Sequence, residues 1–311
     1  MSAVDLGNKV SNPIRHHYVP VFYLKRWAGP DGRIIEFSRP YREVKPRRTF
    51  PAGTGFEERL YDAPAFTDQR RYHYESVFLH GVDTRAADAL KMLEERRTNW
   101  TTETRSAWTR FIISLLIRTP ADIAAIRADY IERWRTTSLQ ATAPEEEIYR
   151  NARGPNDPEN FREFIIQLAP EALATFALGV FARIHNLAGM GERINSMDWT
   201  VVGTPASCNR FLTSDRAVYV SALGQRPAHV TLPIGPHQLF VAYDRGFNLG
   251  AINRVAPREL VRSVNLATVS NACKLVFGRD ASCLPFVREN FSRTPQASMF
   301  TRAHRQAESL A

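Results

Sequence analysis

Residues 229–243 read HVTLPIGPHQLFVAY, two short segments rich in β-branched and aromatic residues on either side of Gly235 and Pro236. This composition is typical of β-strands that are separated by turn-forming residues. Further segments of the same kind occur nearby, namely DWTVVG, NRFLTS, AVYVSA and, closer to the C-terminus, KLVFG. Together these segments predict a sheet of four to six strands in the C-terminal part of the chain.

The middle of the chain has a helical periodicity instead. Trp108 and Phe111 lie on one apolar stripe of a helix predicted for residues 102–118, and Arg118 ends that stripe. The same periodicity predicts further helices at residues 72–97, 159–169, 170–189 and 257–273.

A second helix is predicted to start directly after Arg118. Thr119 is a good N-cap residue, Pro120 suits the first helical position, and Asp122 falls in the first turn, where a carboxylate is favoured. The polar segment TTSLQATAPEEE, residues 136–147, is predicted to be a linker after this helix.

Helices in one block and strands in another predict an α+β fold. We expect the helices of residues 72–189 to pack on a mostly antiparallel C-terminal sheet, and the N-terminal segment to complete the same core. The expected domain is a single one over residues 14–278, with flexible tails at 1–13 and 292–311.

The chain is basic, with 41 Lys and Arg against 32 Asp and Glu, which gives a net charge of +9. This excess favours an anionic partner such as nucleic acid or a nucleotide. The alternative is that the charge is only a general property of the surface, because many basic proteins bind no nucleic acid.

Cys208, Cys273 and Cys283 are odd in number and lack metal-binding spacing, so neither a disulfide framework nor a structural zinc site is expected. No apolar run approaches the ~18 residues of a membrane span, and the first residues do not resemble a secretory signal. These features predict a cytoplasmic protein with no membrane partner; its oligomeric state does not follow from the sequence.

The segment RHHYVPVFYLKRW, residues 15–27, contains the first candidate site residues, His16 and His17. A neutral imidazole can ligate Zn or Mn, and its pKa near neutrality suits proton transfer to a leaving oxygen. The alternative is that one histidine packs beside Tyr18 and the other is exposed.

A second candidate lies in FLTSDRAV, residues 211–218, where an apolar segment ends in Thr213, Ser214 and Asp215. Asp215 could hold a metal or orient an imidazole, and the two hydroxyls could assist it. The alternative is a local turn that ends the strand.

Arg118 is the third candidate, because it stands where an apolar helix face ends. Its guanidinium could bind a phosphate with two parallel hydrogen bonds, or it could pair with a carboxylate such as Glu75.

These motifs resemble a bacterial family known as domain of unknown function 4238. The resemblance covers residues 14–278 and rests on His-His-Tyr-Val-Pro, the following Phe-Tyr-Leu, the Arg-Thr-Pro helix junction, and Leu-Thr-Ser-Asp. The family has no established activity. Its members often continue with Asn-Pro after the aspartate, whereas Arg216 and Ala217 follow here. The resemblance implies that His16, His17, Arg118 and Asp215 could meet in one pocket.

Two functional hypotheses follow. The first is a nuclease-like hydrolase of a phosphodiester in which His16, His17, Arg118 and Asp215 are catalytic. A divalent metal held by His16, His17 and Asp215 would belong to this hypothesis. The second is a non-catalytic module that binds nucleic acid or a protein through a basic surface, with structural histidines.

Overall fold

The computed structural model describes residues 14–65, 74–138, 143–167, 170–184, 188–221, 226–295 and residue 298. Its strands are β1 (Arg15–His17), β2 (Ile34–Ser38), β3 (Lys45–Thr49), β4 (Phe56–Glu58), β5 (Asp198–Gly203), β6 (Thr213–Ser214), β7 (Tyr219–Val220), β8 (His229–Gly235), β9 (Gln238–Tyr243) and β10 (Leu275–Gly278).

The α-helices are α1 (Val21–Leu24), α2 (His80–Glu94), α3 (Thr102–Ile117), α4 (Pro120–Ser138), α5 (Ala143–Ala152), α6 (Phe161–Gln167), α7 (Pro170–Ile184), α8 (Ala188–Asn195), α9 (Leu249–Arg254), α10 (Pro257–Asn271) and α11 (Leu284–Asn290). A π-helical segment, Tyr74–Leu79, leads into α2.

The strands pair antiparallel in two four-stranded sheets and one two-stranded ribbon. The first sheet has the order β5-β9-β8-β7 and contains only strands from residues 198–243, within the region in which the sequence predicts a sheet. Two of the predicted strand segments, NRFLTS and KLVFG, instead supply β6 and β10 of the second sheet. The ribbon consists of β1 and β4. The predicted α+β class, with a helical middle and antiparallel sheets, is confirmed.

The second sheet, β3-β2-β10-β6, joins the two ends of the chain. Leu275 of β10 lies opposite Ser38 of β2, and Val276 lies opposite Ser214 of β6. The N-terminal segment therefore supplies strands as well as core side chains. The sequence does not reveal this pairing, because strand composition indicates a strand but not its partner.

The start of α4 has the predicted cap. The Asp122 N–H donates to Oγ1 of Thr119 at 3.3 Å, and the Thr119 N–H donates to Oδ2 of Asp122 at 3.2 Å. The predicted linker at 136–147 is wrong, because α4 continues to Ser138 and α5 begins at Ala143. Two glutamates in the first turn of α5 favour a helix start there.

One cluster of buried side chains combines the N-terminal segment, the helices and the first sheet. Trp108 of α3 contacts Phe240 of β9 with ring centroids 5.7 Å apart. The indole N–H of Trp27 donates to the carbonyl oxygen of Phe211 at 2.7 Å. The N-terminal segment thus completes the core, as predicted.

The single domain over 14–278 remains a prediction. Of the predicted tails, residues 1–13 lie outside the described residues, and only 292–295 and 298 of the second tail are described. Within the described ranges, no helix is both long enough and apolar enough to cross a membrane.

Candidate functional site

His16 is fully buried on β1. The Tyr61 backbone N–H donates to its Nδ1 at 2.9 Å, which assigns the ring proton to Nε2, 3.7 Å from Oδ1 of Asp62. The imidazole also stacks parallel to the Tyr61 ring. Both ring nitrogens thus face protein groups, and His16 ties β1 to the loop after β4.

His17 is half-buried, and its Nε2 lies 3.4 Å from the carbonyl oxygen of Ala52. Burial lowers the pKa of His17, the Ala52 carbonyl partly opposes this, and the nearby Arg118 guanidinium lowers it further. The imidazole is therefore neutral near pH 7, the form that can accept a proton.

Arg118 directly follows α3, and its side chain is 1% exposed. The guanidinium donates to both carboxylate oxygens of Asp83 on α2, at 2.8 and 3.2 Å, and to the carbonyl oxygen of His17 at 2.7 Å. The carbonyl of Arg118 in turn accepts from the Tyr61 hydroxyl at 2.6 Å. Arg118 thus joins α2, α3, β1 and the loop after β4; the side chain of Glu75, its predicted partner, lies outside the described residues.

Asp215 is buried, and both its oxygens accept backbone hydrogen bonds. The N–H groups of Cys273, Lys274 and Leu275 donate to the carboxylate at 2.9, 2.6 and 3.2 Å. Burial raises the pKa of Asp215, while these three N–H groups oppose the rise. Asp215 therefore fixes the chain at the start of β10.

The two hydroxyls before Asp215 are also engaged in the interior. Oγ1 of Thr213 lies 2.7 Å from the Tyr23 hydroxyl, and the Ser214 hydroxyl donates to the carbonyl oxygen of Thr268 at 3.1 Å. Both side chains are buried, so they connect β6 to the N-terminal segment and to α10.

Arg216, which departs from the family pattern, is a buried residue that links β6 to the α3–α4 junction. Its guanidinium is buried, donates to Oδ1 of Asp122 at 2.7 Å, and donates to the carbonyl oxygen of Leu116 at 3.2 Å. Asp122 was recognised only as a residue of the first helical turn. The sequence offered one signal for Arg216, its position directly after the Thr-Ser-Asp motif.

The links between the motif residues run through backbone groups and neighbouring side chains. His17 and Arg118 are in direct contact, whereas Asp215 is joined to the α3–α4 junction through its neighbour Arg216. Within the ranges that the structure covers, no three His, Cys, Asp or Glu side chains are arranged to hold a metal. The proposed ligands His16, His17 and Asp215 hence form no such group there, because their polar atoms face backbone and neighbouring side chains.

A different cleft, of 480 Å³, lies beside β5 and is lined by three arginines and two tryptophans. We call it the arginine–tryptophan cleft; the residues that define it are Arg96, Arg97, Arg105, Trp100 and Trp199, with Asp198 and Tyr243 also in its wall. Within the described residues, β5 pairs only with β9, so the cleft follows a free sheet edge.

Arg96 has an unusual backbone conformation in this cleft. Its φ is 51°, and its N–H and that of Arg97 bond back to Leu93 and Met92, the pattern that ends a helix with a left-handed residue. Glycine is the usual residue at such a position, and another residue costs about 1 kcal/mol there. A Cβ on Gly203 would lie 2.7 Å from an Nη atom of Arg96, so this glycine leaves room for the guanidinium.

Arg105 and the two tryptophans of the cleft contact one another. Arg105 donates to the carbonyl oxygens of Asn195 and Met197, and its Cζ lies 4.0 Å from the ring centroid of Trp199. Trp199 meets Trp100 edge to face at 5.3 Å. Trp100 is half-buried, so part of its ring faces the cleft.

Sequence reasoning missed this cleft, because the five residues that define it come from two segments about 100 positions apart. The only local signals were the pairs Arg96-Arg97 and Trp199-Thr200, and neither is a recognised motif.

Comparisons with known proteins identify a family but no activity. The family described as a protein of unknown function, DUF4238, matches residues 15–282. No curated protein and no solved structure matches the chain.

Proposed function

We propose that this chain, which belongs to the DUF4238 family, is a non-catalytic module that binds single-stranded nucleic acid in the arginine–tryptophan cleft. The observation that carries the proposal is Arg96, which takes a left-handed conformation in a cleft that also contains Trp100. A strained residue that places a charged group in a cleft is a feature of binding sites.

The cleft offers the two kinds of contact that a single strand needs. Arginine guanidinium groups bind phosphate oxygens, and aromatic rings stack on bases of any sequence. Arg97 pairs with Glu95, but both side chains are exposed, so this ion pair is weak and easily exchanged for a phosphate. Asp198 opposes an anion, and the three arginines outnumber it.

The contacts of the motif residues also support a binding module. His16, Arg118, Asp215 and Arg216 are buried and hydrogen-bonded to other parts of the fold. Side chains that hold elements together are not available to a substrate. We therefore assign them a structural role. The positively charged side chains at the surface are then the groups that bind the nucleic acid.

The decisive variant is Arg96→Gly, which removes a charge and relieves the left-handed backbone. We expect the affinity for a fluorescent single-stranded oligonucleotide to fall roughly tenfold, the usual loss for a charged hydrogen bond. The slope of log affinity against log salt should become shallower by about 0.7, because one phosphate contact is lost. The melting temperature should stay the same or rise.

Two further variants test the geometry. Gly203→Ala keeps every charge but displaces the Arg96 guanidinium, so it should weaken binding in the same direction. Trp100→Ala should cost about 1–3 kcal/mol of binding free energy for a stacked base, and Trp100→Phe should recover part of it. Arg262→Ala, on the exposed face of α10, is the control for charge alone and should change affinity little.

Three results would contradict the proposal. The first is no salt-dependent binding of RNA or DNA, and the second is an equal effect of Arg262→Ala and Arg96→Gly. The third is equally tight binding of polyglutamate, which would indicate an acidic protein partner instead.

Hydrolysis of a phosphodiester is a second candidate function, favoured by one observation. His17 is half-buried with a lowered pKa, so a neutral imidazole lies near the surface beside Arg118. His17→Ala tests it well, because the backbone carbonyl of residue 17 that accepts from Arg118 remains in the variant. Release of nucleotides by the parent chain, lost in this variant while oligonucleotide binding remains, would support hydrolysis.

A further inference from the structure

We propose a second anion site, separate from the arginine–tryptophan cleft, that takes a phosphate group in a groove centred on Arg39. Two clefts meet at this residue. One, of 280 Å³, is lined by Arg39, Arg42, Arg288, Glu43 and Val44. The other, of 370 Å³, runs from Arg39 past Lys274 to Ser292. We call the two together the Arg39 groove.

Two of the arginines are held in place by backbone groups. Arg39 donates one hydrogen bond to the carbonyl oxygen of Phe291 at 3.1 Å, and its Cζ lies 5.1 Å from the ring centroid of Phe291. Arg288 donates from Nε to the carbonyl oxygen of Val44 at 3.3 Å. In both, further N–H groups of the guanidinium remain to bind a ligand.

Positively charged side chains outnumber negatively charged ones in the Arg39 groove. Among the described residues, no carboxylate lies within 4.0 Å of the guanidinium groups of Arg39, Arg42 or Arg288. Glu43 is the single acidic side chain in the wall of the first cleft. Three guanidinium groups against one carboxylate suit a group with two negative charges, such as a phosphomonoester or a diphosphate.

Asp215, the aspartate of the Thr-Ser-Asp motif, holds part of the backbone that lines this groove. Asp215 accepts the N–H groups of Cys273, Lys274 and Leu275, and these same three residues line the second cleft. The ammonium of Lys274 lies 3.6 Å from Glu57, an exposed pair that a phosphate can displace. Asp215 thus fixes the backbone that lines one side of the Arg39 groove.

Calorimetric titration of the full chain with inorganic pyrophosphate tests the proposal. We expect saturable binding that Arg42→Ala and Arg288→Ala each weaken about ten- to a hundredfold, the effect of a lost charged hydrogen bond. Arg42 is exposed, so its replacement should change the stability of the fold little. Arg288→Lys should retain part of the affinity, because lysine keeps the positive charge but lacks the planar guanidinium that can donate two parallel hydrogen bonds.

Arg262→Ala, on the exposed face of α10, is the control for charge alone and should leave pyrophosphate binding unchanged. Arg42→Ala and Arg288→Ala should in turn leave the binding of an oligonucleotide without a 5′-phosphate unchanged, so that the two proposed sites can fail independently. Inorganic phosphate and an oligonucleotide with or without a 5′-phosphate distinguish a small ligand from a strand end. No saturable binding of pyrophosphate, or binding that Arg42→Ala and Arg288→Ala do not weaken, would overturn the proposal.

Discussion

At the scale of single residues, the two adjacent histidines have opposite surroundings. Successive side chains of a strand point to opposite faces, and β1 directs His16 into the core and His17 towards the surface. His16 accepts the Tyr61 N–H, whereas the His17 ring has a long contact to a carbonyl oxygen and meets the Phe56 ring edge to face. The pair is therefore one structural residue beside one with a partly accessible ring.

His16→Ala should destabilise the fold by roughly 2–4 kcal/mol, because it leaves a cavity and a buried Tyr61 N–H without an acceptor. The amide oxygen of asparagine can take the position of Nδ1, so His16→Asn should cost about 1 kcal/mol less. Urea unfolding of the three proteins measures both values. Equal losses in the two variants would show that the hydrogen bond to Nδ1 contributes nothing.

His17 should make stability depend on pH. Its pKa in the folded protein is lowered below the usual value of about 6.5. As the pH falls below about 6.5, the unfolded chain binds the proton first, so the free energy of unfolding decreases until the pH passes the folded pKa. Unfolding in urea at several pH values between 7.5 and 5 should show a smaller decrease for His17→Gln than for the parent. Parallel curves would refute this linkage.

At the scale of elements, the motif residues act as connectors. Arg118 binds β1 to α2, Arg216 binds the end of β6 to α4, and Asp215 binds it to β10. Arg118 and Arg216 both act at the α3–α4 junction, whereas Asp215 acts at the start of β10. The residue types of the motifs therefore match the hydrogen bonds that these connections need.

Asp83→Asn should destabilise the protein by about 3 kcal/mol, because it leaves the charge of the buried Arg118 without its carboxylate. Asp88→Asn is a matched control on the exposed side of α2 and should change the free energy of unfolding by less than about 0.5 kcal/mol. Thermal and urea unfolding compare the two. Similar losses would mean that the general charge of α2, rather than the pairing with Arg118, is responsible.

The elements differ in how far the sequence predicts them. The start of α4 was predictable, since Thr119, Pro120 and Asp122 are local signals that act within one turn. The place of β10 between β2 and β6 was not predictable, because both partner strands are distant in sequence. The backbone hydrogen bonds that pair strands do not depend on a local sequence motif. For the same reason the sequence indicated the reactive motif residues, but neither their buried partners nor the arginine–tryptophan cleft.

At the scale of the whole molecule, the two ends of the chain depend on each other. β2 pairs with β10 on one side and with β3 on the other. Phe277 of β10 lies in the same buried cluster as Trp27 and Trp108. An N-terminal fragment would therefore lack both a sheet partner for β2 and part of its core, including the contact of Trp108 with Phe240.

A fragment of residues 1–194 should consequently fail to fold cooperatively. It retains β1 to β4 and most of the helices but loses β10 and the whole first sheet, so much of the core cluster would face water. We expect the full chain to melt in one sharp transition followed by circular dichroism, and the fragment to show a broad change and to bind a hydrophobic dye. A sharp transition in the fragment would divide the chain into two domains and contradict the single domain of residues 14–278.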